Sequence, residues 1–347
     1  MKIKDLCSYA PKSRIKAGEA VENAKYLFFT SSADENKRYT DFQFDKEAII
    51  MGTGGNATLH YYNGKFSVST DCLVLFPNSK IKCKYLYYFF KSHMSVLEAG
   101  FKGAGLKHTN KKYIEEINVS KVPDLSTQEK IVSHLDTITE NIEKLNREVE
   151  LFDSLTKARF IEMFGRPFIN NMNWESRQIK NVVNEVKYGT SKPSVENGEY
   201  KYLRMNNLTY DGRFDLTDLK FISLDNDELE KCVVRKGDVL FNRTNSLDLI
   251  GKTADFDFDE DMVIAGYIIR IRLKETIVPK FFSMYMNTDE VKLHLRTIAK
   301  GAVNQANINA QELQGIPIYI PPIELQQQFA DFVKQVDKSR LILRRVL

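Results

Sequence analysis

Val122-Pro123-Asp124-Leu125-Ser126-Thr127-Gln128-Glu129-Lys130-Ile131-Val132 is answered later in the chain by Ile320-Pro321-Pro322-Ile323-Glu324-Leu325-Gln326-Gln327-Gln328-Phe329-Ala330. Placing Pro123 on Pro321 sets an offset of 198 and pairs Gln128 with Gln326 and Ile131 with Phe329. The same offset lays Lys102-Gly103-Ala104 on Lys300-Gly301-Ala302. A repeat this long implies two similar domains, each followed by a helix, offering two related surfaces to an extended or two-fold symmetric partner.

The first copy opens a long helix. Ser126 followed by Glu129 has the spacing of a capping box, in which each side chain bonds the other's free backbone N–H. Ile131, Leu135, Ile138, Ile142, Leu145, Val149 and Phe152 then alternate steps of four and three, the seam of a coiled coil. Gly165 and Pro167 end the helix. The second copy keeps the register with Phe329, Val333, Val336, Leu343 and Leu347, interrupted at Arg340 where Ile142 has its counterpart. The second domain reverses the chain between the helices, so the two seams are expected to pair antiparallel.

Outward from the helices, short apolar runs alternate with turns. Ala48–Met51, Phe66–Val68 and Cys72–Phe76 read as strands, and Asn63-Gly64 as a hairpin turn. Lys84–Phe90 reads as a helix. Asn173–Val182 answers to Met1–Leu6, Tyr267–Ile271 to Cys72–Leu75, and Phe281–Tyr285 to the aromatic helix near Tyr85. The expected fold is α+β: residues 1–123 a first domain, 124–166 a central helix, 167–321 a second domain and 322–347 a shorter terminal helix.

Composition narrows the function. The chain is 347 residues with 43% hydrophobic and 28% charged residues, ordinary for a globular protein with real cores. It has no run of 18 apolar residues and no apolar N-terminal core, so neither a membrane span nor a signal segment is expected, and a cytoplasmic location is. Cys7, Cys72, Cys83 and Cys232 form no Cys-x-x-Cys pair and read as free thiols. The net charge of +4 does not announce nucleic acid, yet the stretch from Lys80 to Lys112 carries eight lysines and two histidines against Glu98 alone.

No catalytic motif is present. There is no Walker loop and no Asn/Asp-Pro-Pro-Tyr sequence, and the histidines lack metal-ligand spacing. Gly52–Asn56 reads as a turn. Asp255–Asp261 lacks the central glycine of a calcium loop and reads as an exposed edge or loop. More telling are polar segments at matching places: Phe241–Ser246 against Met51–Asn56, and Lys300–Asn307 against Lys102–Thr109. Arg, Asn and Gln bond base edges bidentately, and Lys and glycine-turn amides suit phosphates. The expected DNA contacts are Arg204, Asn206, Arg243, Thr244, Asn245, Lys252, Lys300, Asn304, Gln305 and Asn307 in the second domain, and Thr53, Asn56, Lys102, Lys107, His108 and Thr109 in the first. The frames agree while these loops differ, as two half-sites of different sequence require.

The pieces Trp174-x-x-x-x-Ile179, Gly237-Asp238-Val239-Leu240-Phe241-x-Arg243-Thr244, Lys300-Gly301-Ala302-x-x-Gln305-x-Asn307-Ile308, Pro321-Pro322-x-Glu324-x-Gln326-Gln327 and Ala158–Gly165 together resemble the specificity (S) subunit of type I restriction–modification systems. The resemblance implies a non-catalytic chain with two target-recognition domains reading a bipartite site in double-stranded DNA, spaced by an antiparallel coiled coil. It implies two modification subunits that use S-adenosylmethionine to methylate adenine, and restriction subunits that use ATP and magnesium, with no cofactor on this chain. The second helix departs from the family in ending at Leu347, so the uncovered part of the first helix is expected to seek a partner chain. A stand-alone two-domain DNA-binding regulator, a coiled-coil scaffold and the specificity chain of a fused restriction–methylation enzyme remain alternatives.

Overall fold

The computed structural model describes residues 1–302 and 304–344, so Leu347 of the expected seam lies outside the described residues. The chain divides into two compact units, Met1–Lys144 and Leu145–Leu347. Unit 1 holds strands β1 (Cys7–Tyr9), β2 (Tyr26–Phe29), β3 (Arg38–Tyr39), β4 (Phe44–Gly52), β5 (Leu59–Val68) and β6 (Cys72–Pro77), and helices α1 (Cys83–Ser92), α2 (Met94–Glu98) and α3 (Lys111–Glu116). Helix α4 (Leu125–Phe164) contains the unit boundary. Unit 2 continues with β7 (Glu175–Gln178), β8 (Val183–Tyr188), β9 (Tyr200–Leu203), β10 (Lys220–Ile222), α5 (Asn226–Cys232), β11 (Val233–Val234), β12 (Val239–Asn242), β13 (Thr244–Asn245), β14 (Thr253–Asp255), β15 (Met262–Ile264) and β16 (Ile268–Leu273). It closes with α6 (Pro279–Met286), α7 (Asp289–Ile298), β17 (Lys300–Ala302), β18 (Gln305–Asn307), α8 (Ala310–Gln314), β19 (Pro317–Ile320) and α9 (Ile323–Arg344).

The two units share a strand order. Unit 1 is a single sheet, β1-β6-β4-β5-β2-β3. Unit 2 splits the same order into β8-β16-β12-β14 and β11-β15-β9-β10, because the long strands β4 and β5 are each replaced by two short ones, β11 and β12 for β4 and β14 and β15 for β5. The parallel pair recurs too: β2 runs parallel to β5, and β9 parallel to β15. The apolar run of β4 is buried on both faces. Ile49 and Met51 join the core under α1, while Ala48 and Ile50 join a second core on the opposite face. In β12, Val239 and Phe241 face one core and Leu240 the other.

The repeated glutamines explain why their motif recurs. Gln128 accepts from Lys82 N at 2.7 Å and donates to Lys80 O and Pro123 O. Gln326 accepts from Val278 N at 2.9 Å and donates to Thr276 O and Pro321 O. Each is fully buried and satisfies the orphan backbone at the start of α1 or α6. Gln326→Ala strands these groups and is expected to cost unit 2 about 2–3 kcal/mol, read as a lower urea midpoint. A midpoint within error of wild type would contradict the clamp.

Several local expectations change. Asn63-Gly64 is no turn: both residues lie inside β5, opposite Glu47 and Lys46, and the chain reverses at residues 53–58. Pairing along a nine-residue β4 outweighs the local turn preference, and the ladder runs through Gly64, at φ +142°, without a shift in register. The cap of α4 is Asp124, which accepts from Thr127 N at 3.0 Å and Thr127 Oγ1 at 2.7 Å, so the helix begins before Ser126. The Asp-rich loop is not simply an exposed edge: Phe256 is buried against Phe214 and Phe258, and Lys236 holds Asp257 and Asp259.

Within unit 2, α9 runs back along the end of α4. Phe329 meets Phe160 and Phe164, and eleven residues later Arg340 meets Asp153. Phe329, Val333 and Val336 are buried, while Leu145, Val149, Phe152 and Leu343 are half-buried. Arg340 does not break the seam. It is buried there because Asp153 and Asp337 accept from its guanidinium. Ile131 and Leu135 are half-buried, but Ile138 and Ile142 are 53% and 40% exposed, so the seam is not covered along its whole length.

Candidate nucleic-acid interface

The polar segments paired by the repeat are brought together by hydrogen bonds. In unit 2, β13 pairs antiparallel with β18, Thr244 opposite Asn307, and β18 pairs with β17 in a tight hairpin. Gly301 makes the close approach possible: its φ is +114°, and a Cβ there would stand 2.6 Å from Gln305 O. Strand alternation puts Gln305 and Asn307 on one face and sends Ala306 into the core. Thr244 Oγ1 donates to Asn307 Oδ1 at 2.9 Å, fixing which edge of that amide is free. Lys300, Asn304 and Gln305 are exposed, and Lys300 reaches Glu312.

Arg243 sits at the root of this ribbon. Its backbone N–H donates to Tyr267 O and its carbonyl accepts from Ile308 N. The guanidinium lies over the Tyr188 ring, 4.8 Å from its centre, and the Tyr188 hydroxyl accepts from Ala310 N. A planar cation stacked and aimed in this way has lost rotamer freedom before meeting any ligand.

Unit 1 builds the same element from different side chains. Gly54 and Lys102 each bridge to His108, Gly55 N donates to Lys107 O, and Thr109 N to Thr53 O. Gly103, at φ +146°, takes the place of Gly301. Asn56, Lys102, Lys107 and His108 are exposed. Thr53 and Thr109 are less available: half-buried Thr53 donates from Oγ1 to Asp71 O, and Thr109 is buried against Gly100.

Other expected contacts lie outside these ribbons or are engaged. Arg204 donates to Asp218 Oδ2 at 2.7 Å and to Asp218 O, while Asn206 is exposed in the adjoining turn. Asn245 accepts from Ser246 N. Lys252 is half-buried, and burial draws its pKa down. The basic stretch is not one face either. Lys82, Lys84 and Lys111 pair with Glu129, Asp136 and Glu115, leaving Lys102 and Lys107 at the ribbon. Tyr188 was missed by sequence reasoning. Its signal was an aromatic residue at an exposed strand end, but nothing in the sequence tied it to Arg243.

Lys292 was also missed. Its Nζ donates to Gly251 O at 2.7 Å beneath the Tyr210 ring. Burial, then the charges of Lys252 and Arg296, push its pKa down to about 7. The folded value lies below the unfolded one, so between about pH 7 and the ordinary lysine range the unfolded chain binds the extra proton. Stability therefore gains from this group as pH rises through that window, and its cost is fully present below it. Comparing urea midpoints of wild type and Lys292→Met from pH 7 to 10, the wild-type curve is expected to climb relative to the variant. Parallel curves would contradict the assignment.

The described residues contain no cluster of His, Cys, Asp and Glu able to hold a metal and no helix long and apolar enough to cross a membrane. All four cysteines are buried and free. The family described as Type I restriction modification DNA specificity domain matches residues 1–151 and again 171–345. The chain belongs to this family. Type I specificity chains recognise DNA while catalysis lies on other subunits, and this chain is accordingly a non-catalytic recognition subunit. It is 24% identical over 322 residues to the MjaVIII specificity subunit of Methanocaldococcus jannaschii, covering 87% of this chain and 74% of that one. It is 20% identical over 347 residues to the EcoKI specificity subunit of Escherichia coli K12, covering 94% and 71%. The putative MjaX specificity subunit of M. jannaschii is 27% identical over 169 residues, 48% of this chain and 40% of that one. In fold, the chain resembles the type I S subunit from M. genitalium with a TM-score of 0.65 at 15% identity, covering 99% of this chain and 90% of that one.

Proposed function

We propose that each unit of this specificity subunit reads one half of a split site in double-stranded DNA, and that α4 and α9 pair as an antiparallel coiled coil that spaces the two readings. The observation that carries this is the β13-β18-β17 ribbon, with Thr244, Gln305 and Asn307 on one face and Arg243 stacked beside it, repeated in unit 1 with Asn56, Lys102, Lys107 and His108. A major groove about 12 Å wide admits such a ribbon, and Arg, Asn and Gln read base edges there. The opposed run of Phe329 on Phe160 and Arg340 on Asp153 supports the antiparallel pairing.

On this reading the chain positions two modification subunits, which carry S-adenosylmethionine and methylate adenine, and restriction subunits, which use ATP and magnesium. The test is a domain exchange. Residues 167–321 are replaced by the corresponding segment of another specificity chain, and the DNA bound by the assembled complex is sequenced. One half of the motif should change and the other persist; a change in both halves, or in neither, overturns the division of labour.

A further inference from the structure

The same turn stands at the root of both ribbons. In unit 2 it is closed by Ile268 N donating to Ala265 O, and Arg243 N donates to Tyr267 O at 2.9 Å. In unit 1 Cys72 N donates to Ser69 O, and Thr53 N donates to Asp71 O at 2.8 Å. The neighbouring strand agrees, since Ser69 N donates to Phe29 O as Ala265 N does to Leu203 O. Thr53 therefore answers to Arg243, and Asp71 to Tyr267. Both turn residues face solvent: Tyr267 is 53% exposed, and Asp71 is exposed too. Among the described residues the Asp71 carboxylate has no hydrogen-bond or ion-pair partner. Its backbone, by contrast, is anchored. Asp71 O accepts from Thr53 N, from Thr53 Oγ1 at 3.0 Å and from Ser31 Oγ, and Ser31 Oγ accepts in turn from Thr53 N and Gly54 N. A side chain carried on so fixed a turn loses little freedom on meeting a ligand.

On the reading of unit 1 as a DNA-recognition unit, on which this assignment rests, we propose that Asp71 is a specificity-determining residue that accepts from the N4 amino group of a cytosine in the major groove. An ionised carboxylate only accepts hydrogen bonds. Beside phosphates it is repelled, so it costs affinity wherever no donor meets it. Lys102 and Lys107, exposed on the adjoining ribbon, supply attraction to phosphates, and the acid is left to discriminate. In the major groove guanine O6 and N7 and thymine O4 accept, and each would repel the carboxylate. Cytosine N4 and adenine N6 donate. Adenine N6 lies beside the acceptor N7, which would face the second carboxylate oxygen. Cytosine has no acceptor beside N4, so cytosine is the base that fits. Unit 2 differs in kind. There the donor Arg243 occupies the place of Thr53, and Tyr267 occupies the place of Asp71. The two units thus offer opposite hydrogen-bonding partners at matching positions, and Thr53 gains a task in holding the turn that carries Asp71.

The test reads the motif and the DNA binding of the assembled complex. Methylome sequencing identifies the half of the motif that persists when residues 167–321 are exchanged. That half should contain a C·G pair that becomes degenerate in Asp71→Ala. Asp71→Asn should admit A·T at the same pair, because an amide bonds adenine N6 and N7 together. On synthetic duplexes, replacing the C·G pair should weaken binding by the wild-type complex about 10- to 100-fold, and by the Asp71→Ala complex less than about threefold. Affinity of that variant for unrelated DNA should hold or rise, since a negative charge has gone. Circular dichroism should match wild type, because the carboxylate removed is exposed and unbonded. An unchanged motif in both variants, or degeneracy confined to the other half, overturns the proposal and leaves the division of labour standing. Equal loss of specific and unrelated binding also overturns it, by making Asp71 a structural residue. A contiguous wild-type motif, or a domain exchange that alters both halves, removes the underlying reading and the proposal with it.

Discussion

Phe329→Ala is expected to lower the stability of unit 2 by about 3–5 kcal/mol. Phe329 is fully buried and forms edge-on ring contacts with both Phe160 and Phe164, so it joins the start of α9 to the end of α4. Truncation removes the transfer free energy of a whole ring and leaves a cavity in a tightly filled aromatic cluster that includes Phe281 and Tyr285. The rings also lose oriented contacts beyond simple area. Phe329→Leu should recover much of the loss, because it keeps most of the volume. Urea unfolding followed by circular dichroism would measure both. A loss under about 1 kcal/mol for the alanine variant would mean that the two helix segments do not depend on one another.

The second large effect is on DNA. Arg243→Ala combined with Gln305→Ala should weaken binding of the assembled complex to its own site by about 2–6 kcal/mol, the sum expected for two base-edge contacts. Binding to unrelated DNA should fall far less, since that is carried by phosphate contacts. Arg243 is expected to matter more than its single charge implies, because the Tyr188 ring orients it. Tyr188→Ala leaves the charge in place and should therefore relax discrimination while sparing nonspecific affinity. Equal losses on specific and random DNA, measured at one fixed salt concentration, would reassign Arg243 to backbone binding.

The parts legible in the sequence were those fixed by local spacing or by repetition. The heptad of α4, the strands around Ala48–Met51 and Cys72–Phe76, and the helices at Lys84–Phe90 and Phe281–Tyr285 follow from apolar runs and spacing, and the structure contains them. The matched glutamines were visible as a repeated motif, yet their task at the starts of α1 and α6 depends on backbone groups nearly 50 residues away. What failed was tertiary. Asn63-Gly64 carries a strong turn preference that strand pairing overrides. The lysines of Lys80–Lys112 look like one basic surface, but Lys82 and Lys84 pair with the acids of α4. Arg340 looks like a flaw in the seam until Asp153 is placed beside it.

The candidate interface divides in the same way. Gln305, Asn307, Thr244 and Arg243 meet because the repeat marked two segments that the fold joins. Thr53 and Thr109 belong to the same segments, but Thr109 is buried and the Thr53 hydroxyl is engaged by Asp71 O, a difference that residue type could not reveal.

The central claim is that two copies of a reading unit are spaced by the helices. Methylome sequencing tests it most directly, in a strain expressing this chain with its modification partner, before and after inserting one heptad following Lys144. The expected result is methyladenine in a split motif whose bases are unchanged by the insertion. The gap should respond to about 10 Å of added helix, or about three base pairs. A contiguous motif, or an insertion that changes the bases and leaves the gap intact, would contradict the account.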